Sequence, residues 1–175
     1  FHPVTLEKFS SGEQFQELLE SLSELKNTNI IFTKANCDTD GRIINNMIDN
    51  YVLNHHNSYS FISMGQLNYL SALNFFDAVV GNSSSGLIEA PSFKIGTIDI
   101  GDRQKGRIKA KSVISCLPIK KNIDKAFQKL YSKEFQNDLL SVKNPYGKGG
   151  AFKKILNIIK TYSLKDVLKK SFYNI

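Results

Sequence analysis

Apolar residues recur along this chain at two kinds of spacing that alternate. In residues 15–25, 43–52 and 67–76 they return every third or fourth position, which predicts amphipathic helices. Short continuous apolar runs separate these segments and predict buried strands at 29–33, 59–62, 77–81, 96–100 and 113–116. Further helical patterns cover 120–131, 149–162 and 164–172.

This order of elements predicts the fold class. Strands that alternate with helices of about 10–15 residues form parallel βαβ units. Continuous apolar strands are expected when helices cover both faces of a sheet. We therefore predict an α/β domain of three layers, built on a doubly wound parallel sheet. Ser11 with Gln14, and Ser63 with Gln66, have the spacing of capping boxes at two helix starts.

Length and special residues narrow the class of protein. The 175 residues fit one domain that spans 1–175, and Phe1 is expected to be the last residue of a strand that begins upstream. Cys37 and Cys116 form no zinc-type cluster, so no metal is predicted, no cofactor is expected and both thiols are expected to be reduced. With no apolar run of about 18 residues, no membrane span is predicted, and we expect a cytoplasmic protein.

The net charge of +7 is divided unequally between the two parts of the chain. Residues 1–102 hold five Lys/Arg and twelve Asp/Glu, whereas residues 103–175 hold eighteen and four. A basic second part could attract a diphosphate or a polyanion. Twenty of the 23 cations are Lys scattered along helical segments, which favours a solvated lysine surface. No nucleic-acid-binding motif is evident, so no nucleic-acid partner is predicted.

Polar or glycine-bearing residues follow the strand ends of the predicted sheet. These residues occupy 2–5, 36–38, 63–65, 81–86 and 101–104. Ligands of doubly wound sheets bind outside the carboxyl ends of the strands. The coincidence of five such positions therefore predicts a ligand site at this edge.

The segment 80–90 carries the sharpest local signal. Gly81 and Gly86 allow a tight turn and close approach of an anion, and the serines between them can cap a helix that starts near Gly86. Free backbone N–H groups at that helix start predict an anion site. Glu89, one turn later, is placed to accept hydrogen bonds from ribose hydroxyls. The alternative is an ordinary serine-rich helix cap followed by a Glu that complements the helix dipole.

Four motifs, taken together, resemble the carboxyl-terminal domain of the hydrolysing UDP-N-acetylglucosamine 2-epimerases. The similarity runs from residue 1 to about 160, and the block 79–107 is its most specific part. The motifs are His2-Pro3-Val4-Thr5, Gly81-Asn82-Ser83-Ser84-Ser85-Gly86, Glu89-Ala90-Pro91 and Gly101-Asp102-Arg103-Gln104-Lys105-Gly106-Arg107.

The resemblance implies a fold and a reaction. It implies a Rossmann-like domain that forms the second half of a two-domain enzyme of the GT-B type, with helices after about 150 packing back toward a first domain that is absent from this chain. The implied reaction eliminates UDP from UDP-N-acetylglucosamine and hydrates the resulting glycal to N-acetylmannosamine. The full-length protein is expected to form a homodimer or a homotetramer, and the isolated chain to be inactive.

The resemblance also assigns roles to individual residues. His2 matches a histidine near the diphosphate, where a cation would neutralise charge on departing UDP and count as catalytic; the alternative is a capping or surface histidine. Arg103 matches a basic residue near the phosphates or the sugar; the alternative is an ion pair with Asp102 or Asp99. The other implied UDP contacts are Asn36, the uracil-reading Ser63 and Met64, Ser83 and Ser84 with the backbone of Ser85 and Gly86, and the ribose ligand Glu89.

One departure from the family pattern and one feature specific to a branch of the family affect the expected details. Ser63-Met64-Gly65 replaces a histidine-containing version in some relatives, so the uracil contact is expected to differ there. His2-Pro3-Val4-Thr5 lacks the basic residues that follow the histidine in non-hydrolysing epimerases, which favours the hydrolysing branch.

Other functions use the same fold. A non-catalytic module that binds nucleotide sugars, or the nucleotide-binding half of a GT-B glycosyltransferase, would share the arrangement of Glu and ribose. The sugar itself stays open between N-acetylglucosamine and a diacetamido-bacillosamine, since both would keep the same nucleotide contacts.

Overall fold

The computed structural model describes residues 1–4, 11–36 and 40–165. Its helices are α1 (Ser11–Ser23), α2 (Gly41–Asn54), α3 (Gly65–Ala72), α4 (Ser85–Ile88), α5 (Lys120–Leu130), α6 (Lys133–Leu139) and α7 (Ala151–Thr161), with a 3₁₀ helix at Ala90–Phe93. Its strands are β1 (Ile30–Thr33), β2 (Ser58–Phe61), β3 (Ala78–Gly81), β4 (Gly96–Ile100) and β5 (Val113–Cys116).

The strands pair in parallel, as the alternation of elements predicts. β1 pairs with β2, with Ile30 opposite Ser58. β4 lies between β3 and β5, with Gly81 opposite Asp99 and Ile100 opposite Cys116. The hydrogen-bonded ladders thus form two sheets, of two and three strands. All five predicted strands are present within one residue of their predicted bounds.

One face of both sheets is covered by three helices that share a single core. α1 packs against α2 and α5, and α5 packs against β4 and β5. The apolar stripe of each helix faces inward because its residues recur at helical spacing, as with Phe15, Leu18 and Leu22 of α1. This core cluster also contains Ile98 and Ile100 of β4. The three helices and both sheets therefore contribute to one core.

The opposite face is covered unevenly. All five residues of β4 are buried, and the Thr97 hydroxyl donates to the Gly86 carbonyl of α4 at 2.8 Å, so β4 has helices on both faces. In β1, by contrast, buried and exposed residues alternate, and Ile31 is 40% exposed. One face of the β1–β2 sheet is therefore exposed, whereas both faces of β4 are covered. The reason is that α3 buries none of its own residues and leaves Tyr59 and Phe61 exposed.

The helices after residue 116 also depart from the sequence pattern. α6 is an additional short helix, capped by the Ser132 hydroxyl, which accepts from the Phe135 N–H at 3.3 Å. α7 lies within its predicted range but buries no residue. The helix predicted at 164–172 falls mostly on 166–175, outside the described residues. Across the described ranges, no helix has the length and apolar character needed to cross a membrane.

Candidate functional site

The carboxyl ends of β3 and β4 meet the start of the chain through Asn82. Asn82 follows Gly81 directly and is 1% exposed. Its side-chain Oδ1 accepts from the His2 backbone N–H at 2.7 Å, and its Nδ2 donates to the His2 carbonyl at 2.8 Å. Gly81 has φ of 141°, a backbone conformation that favours glycine, and packs beside Phe1. His2 therefore lies at the same edge as the glycine–serine turn that follows β3.

The segment after β4 joins the same point. The Arg103 guanidinium donates to the Asn82 carbonyl at 3.0 Å, and the Gln104 side-chain amide donates to that carbonyl at 2.8 Å. His2, the turn and Arg103 thus lie at the same edge, and the Arg103 guanidinium supplies a positive charge there.

The two ion-pair alternatives for Arg103 involve carboxylates that have other cationic partners. Lys109 Nζ lies 2.7 Å from Asp99, and Lys105 Nζ lies 3.6 Å from Asp102. Arg103 itself is exposed, with its guanidinium directed to the turn by the Asn82 carbonyl. This position leaves the guanidinium accessible to an anionic ligand.

The glycine–serine turn lies close to its neighbouring strand, as predicted, but the helix that follows it is shorter than the helix of a usual anion site. Gly86 packs on β4 so closely that an added Cβ would lie 2.5 Å from Thr97 Cγ2. α4 begins at Ser85 and contains four residues, so its dipole is small. The capping prediction is wrong in detail, because Ser84 holds the cap position without a side-chain cap bond. Instead the Ser83 hydroxyl accepts from the Ser85 N–H at 3.4 Å.

The N–H of Gly86 has a backbone partner within the turn. It donates to the Ser83 carbonyl at 3.3 Å, which is near the outer limit of hydrogen bonding. Ser83, Ser84 and Ser85 are all half-buried. A phosphate at this turn would therefore rely on the serine groups and Arg103 more than on a helix dipole.

Glu89 lies outside the core, where α4 meets the 3₁₀ helix. It is half-buried. A nearby side chain is Tyr69 of α3, whose hydroxyl lies 2.5 Å from the Ser85 hydroxyl. Burial raises the pKa of Tyr69; the Ser85 hydrogen bond opposes this shift, and the Glu89 charge adds to it. Tyr69, Ser85 and Glu89 thus form one polar cluster beside the turn.

A second polar network lies on β4 and β5. Asp99 is 1% exposed, and Lys109 Nζ donates both to its carboxylate and to the Ser115 hydroxyl, each at 2.7 Å. Burial raises the pKa of the Cys116 thiol to about 11, and the Asp99 charge contributes. Cys116 is a free, half-buried thiol, as predicted, whereas Cys37 lies outside the described residues.

Three predicted UDP contacts follow the strands of the β1–β2 sheet. Asn36 follows β1 and is exposed, while Ser63 and Met64 follow β2. The Ser63 hydroxyl accepts from the Gly65 N–H at 3.1 Å rather than forming the predicted bond with Gln66 at a helix cap. Among the described residues, the hydrogen bonds around the glycine–serine turn reach His2, Arg103, Gln104 and Tyr69 but none of these three. Their role stays a prediction.

The structure adds three residues that the sequence patterns did not single out: Asn82, Gln104 and Tyr69. Asn82 and Gln104 lie inside the polar motifs 81–86 and 101–104. The sequence therefore indicated these segments but did not indicate which residue in each would form the contacts. Tyr69 sits in a helix that reads as apolar, and only the fold brings its hydroxyl to Ser85. In the described part of the chain, no group of three or more His, Cys, Asp or Glu side chains could hold a metal.

Comparison with known sequences identifies relatives along the whole chain. The sequence model of the family described as UDP-N-acetylglucosamine 2-epimerase matches residues 1–160. The chain is 41% identical over 177 residues to the GDP/UDP-N,N'-diacetylbacillosamine 2-epimerase (hydrolyzing) of Campylobacter jejuni, covering all of this chain and 46% of the relative. It is 39% identical to the polysialic acid biosynthesis protein P7 of Escherichia coli, covering 100% and 45%. The chain thus spans about half the length of these curated relatives.

Solved structures show the same fold. The S. aureus MnaA–UDP co-structure is similar with a TM-score of 0.71 at 16% identity, covering 99% of this chain and 46% of that one. The UDP-GlcNAc 2-epimerase of Methanocaldococcus jannaschii, solved with UDP-GlcNAc and UDP, is similar with a TM-score of 0.66 at 20% identity, covering 85% and 41%. These similarities confirm the predicted Rossmann-like α/β fold.

Proposed function

Because this chain belongs to the UDP-N-acetylglucosamine 2-epimerase family, we propose that it is the UDP-binding half of a hydrolysing sugar-nucleotide 2-epimerase. One observation carries the proposal: the glycine–serine turn, His2 and Arg103 meet at the carboxyl edge of β3 and β4, with Glu89 outside the core. This is the edge at which doubly wound sheets bind ligands.

The groups at this edge match the chemistry of a nucleoside diphosphate. Arg103 supplies a positive charge for the phosphates, and the hydroxyls of Ser83, Ser84 and Ser85 supply hydrogen-bond donors. The backbone of Ser85 and Gly86 lets the phosphates approach. The acceptor-only carboxylate of Glu89 suits the two hydroxyls of a ribose.

His2 would act on the leaving group. When UDP departs from the sugar, negative charge grows on its terminal phosphate, and a positioned cation stabilises that charge in the transition state. The remaining steps, removal of the C2 proton and addition of water, are assigned to the first domain, as the resemblance of this chain implies. Asn36, Ser63 and Met64 are proposed to contact the nucleotide from the β1–β2 side.

The chain is proposed to form one side of a two-domain cleft. Its relatives are about twice its length, and the exposed apolar face of α7 supports packing of this helix on the other domain. We expect the isolated chain to bind UDP weakly and to lack turnover, because half of the cleft is missing. A homodimer or homotetramer of the full-length protein, and a cytoplasmic location, stay predictions.

The sugar stays open between two candidates. The family is described by UDP-N-acetylglucosamine, whereas the C. jejuni relative is named for diacetylbacillosamine. Both sugars keep UDP as the leaving group. The family match favours an epimerase over the glycosyltransferase and non-catalytic alternatives.

Turnover by the full-length protein tests the reaction. Incubation with UDP-N-acetylglucosamine, and separately with the UDP-linked diacetamido sugar, is expected to release UDP together with the free 2-epimer of one of them. Chromatography of the products identifies the sugar. If neither nucleotide sugar is consumed by a folded full-length protein, the proposed reaction is wrong.

Calorimetry on this chain tests the ribose role of Glu89. Glu89→Ala is expected to weaken UDP binding about 10- to 150-fold, since a hydrogen bond to a charged group contributes about 1.5–3 kcal/mol. Inorganic diphosphate, which has no ribose, should bind this variant and the unmodified chain alike. Glu134→Ala, at an exposed carboxylate of α6, is the matched control and should leave both affinities unchanged. Equal losses for UDP and diphosphate in Glu89→Ala would refute the ribose contact.

A further inference from the structure

The side-chain amide of Asn82 joins two segments that are 80 residues apart in the sequence. It accepts from the His2 N–H and donates to the His2 carbonyl, so both backbone groups of one residue are held by one side chain. Asn82 is buried among these partners, with 1% exposure. A buried amide that forms both bonds fixes the backbone of His2 in position and orientation.

The main chain of Asn82 has a separate set of partners. Its carbonyl accepts from Arg103 and from Gln104, at 3.0 and 2.8 Å. A substitution of the side chain removes the bonds to His2 and keeps the carbonyl that holds Arg103. Substitution of the Asn82 side chain therefore tests its contact with His2 separately from the contact of its carbonyl with Arg103.

We propose that Asn82 is a positioning residue of the reaction, which acts by holding His2 against the glycine–serine turn. This proposal rests on the proposed function, because it assigns to His2 the stabilisation of departing UDP. Its chemical content is specific: Asn82 influences departure of the leaving group through His2, and it affects binding of the nucleotide much less.

Loss of the Asn82 amide would release both the N–H and the carbonyl of His2 from this side chain. A displacement of about 1 Å of a group that meets the reacting atoms can lower a rate about 100-fold.

Steady-state kinetics of the full-length protein test the proposal. Asn82→Ala is expected to lower kcat about 10- to 100-fold and to change KM for the UDP-sugar less than about threefold. Asn57→Ala is the matched control. Asn57 also uses its side-chain amide to reach a distant carbonyl, that of Thr28 at 2.6 Å, but at the amino ends of β1 and β2, opposite the site. This variant should keep both parameters.

A double-mutant cycle separates positioning from general damage. His2→Ala alone is expected to lower kcat, and adding Asn82→Ala to it should lower kcat less than about twofold further, because the group that Asn82 positions is already gone. If Asn82→Ala costs as much in the His2→Ala background as in the unmodified protein, Asn82 does not act through His2 and the proposal is wrong.

Hydrogen exchange gives a readout that does not depend on turnover. In this chain, the His2 amide is expected to lose protection in Asn82→Ala and to keep it in Asn57→Ala. If the His2 amide keeps its protection in Asn82→Ala, the Asn82 side chain does not hold the His2 backbone and the proposal is wrong. Failure of the unmodified full-length protein to release UDP would instead overturn the proposed function, so the two failures are distinguishable.

Discussion

Helices α5 and α7 each contain 11 residues with an apolar stripe at helical spacing, yet the stripe of α5 is buried and that of α7 is exposed. α5 buries Ile123, Ala126, Phe127 and Leu130 against β4 and β5. α7 buries none of its residues, and Phe152, Ile155 and Ile159 are all more than half exposed.

The difference lies in the partner and not in the helix. α5 has a sheet beneath it and α1 beside it, and the Glu17 carboxylate of α1 accepts from the Lys120 N–H at the start of α5. Periodicity specifies which face of a helix is apolar, but burial of that face requires a complementary surface. An apolar face without such a surface indicates an interaction site, which is the reason to propose that α7 packs on the other domain.

The largest expected contrast is in stability. Leu130→Ala should destabilise the chain by about 2–5 kcal/mol, because Leu130 is fully buried on β4 and its removal leaves a cavity. Ile159→Ala in α7 should change stability by less than about 0.5 kcal/mol, since Ile159 is 67% exposed. Urea unfolding followed by circular dichroism measures both. A loss of several kcal/mol in Ile159→Ala would show that α7 is packed within this chain.

The second contrast compares the alkylation rates of two thiols. One is Cys116 of β5, the strand on which α5 packs, and the other is a cysteine introduced in α7. The pKa of Cys116 is raised to about 11 by burial, so at pH 8 its thiolate fraction is about 100-fold below that of a thiol with pKa near 9. The greater nucleophilicity of a high-pKa thiolate recovers about tenfold of this. Alkylation of Cys116 should therefore be about tenfold slower than alkylation of the thiol introduced by Ile155→Cys in the exposed face of α7.

The pH dependence of the alkylation rate also distinguishes the two thiols. The Cys116 thiol stays protonated in the folded chain through pH 9, so its alkylation rate should keep rising toward pH 11, while the thiol of Ile155→Cys should level off near pH 9. Cys37→Ser in both samples removes the other thiol, and mass spectrometry follows the label. Equal rates at pH 8 would contradict the burial of Cys116.

The smallest contrast compares two threonines with the same hydrogen-bond length. The Thr97 hydroxyl donates to the Gly86 carbonyl at 2.8 Å in the buried sheet, and the Thr161 hydroxyl donates to the Asn157 carbonyl at 2.8 Å in exposed α7. Thr97→Val should cost about 1 kcal/mol, because it leaves a buried carbonyl without its donor. Thr161→Val should cost less than about 0.3 kcal/mol, since water replaces the hydroxyl. The same urea titration measures both, and equal costs would mean that Gly86 is open to solvent.

The sequence by itself determined most of the elements and predicted the edge at which a ligand would bind. The strands and the longer helices follow from spacing among neighbouring residues, so their existence needs no knowledge of distant contacts. The polar ends of the strands predict a ligand edge for the same reason, since parallel strands place their carboxyl ends together. The similarity of the block 79–107 to a known family added the proposal that this ligand is UDP.

Only the tertiary structure decided which residues meet and which faces stay open. The bonds from Asn82 to His2 span 80 residues, and the contact of Tyr69 with Ser85 joins two elements that no periodicity relates. The exposure of α7 depends on which surfaces are present to pack against. Local patterns fix what each element can bury, and the assembled fold fixes what it does bury.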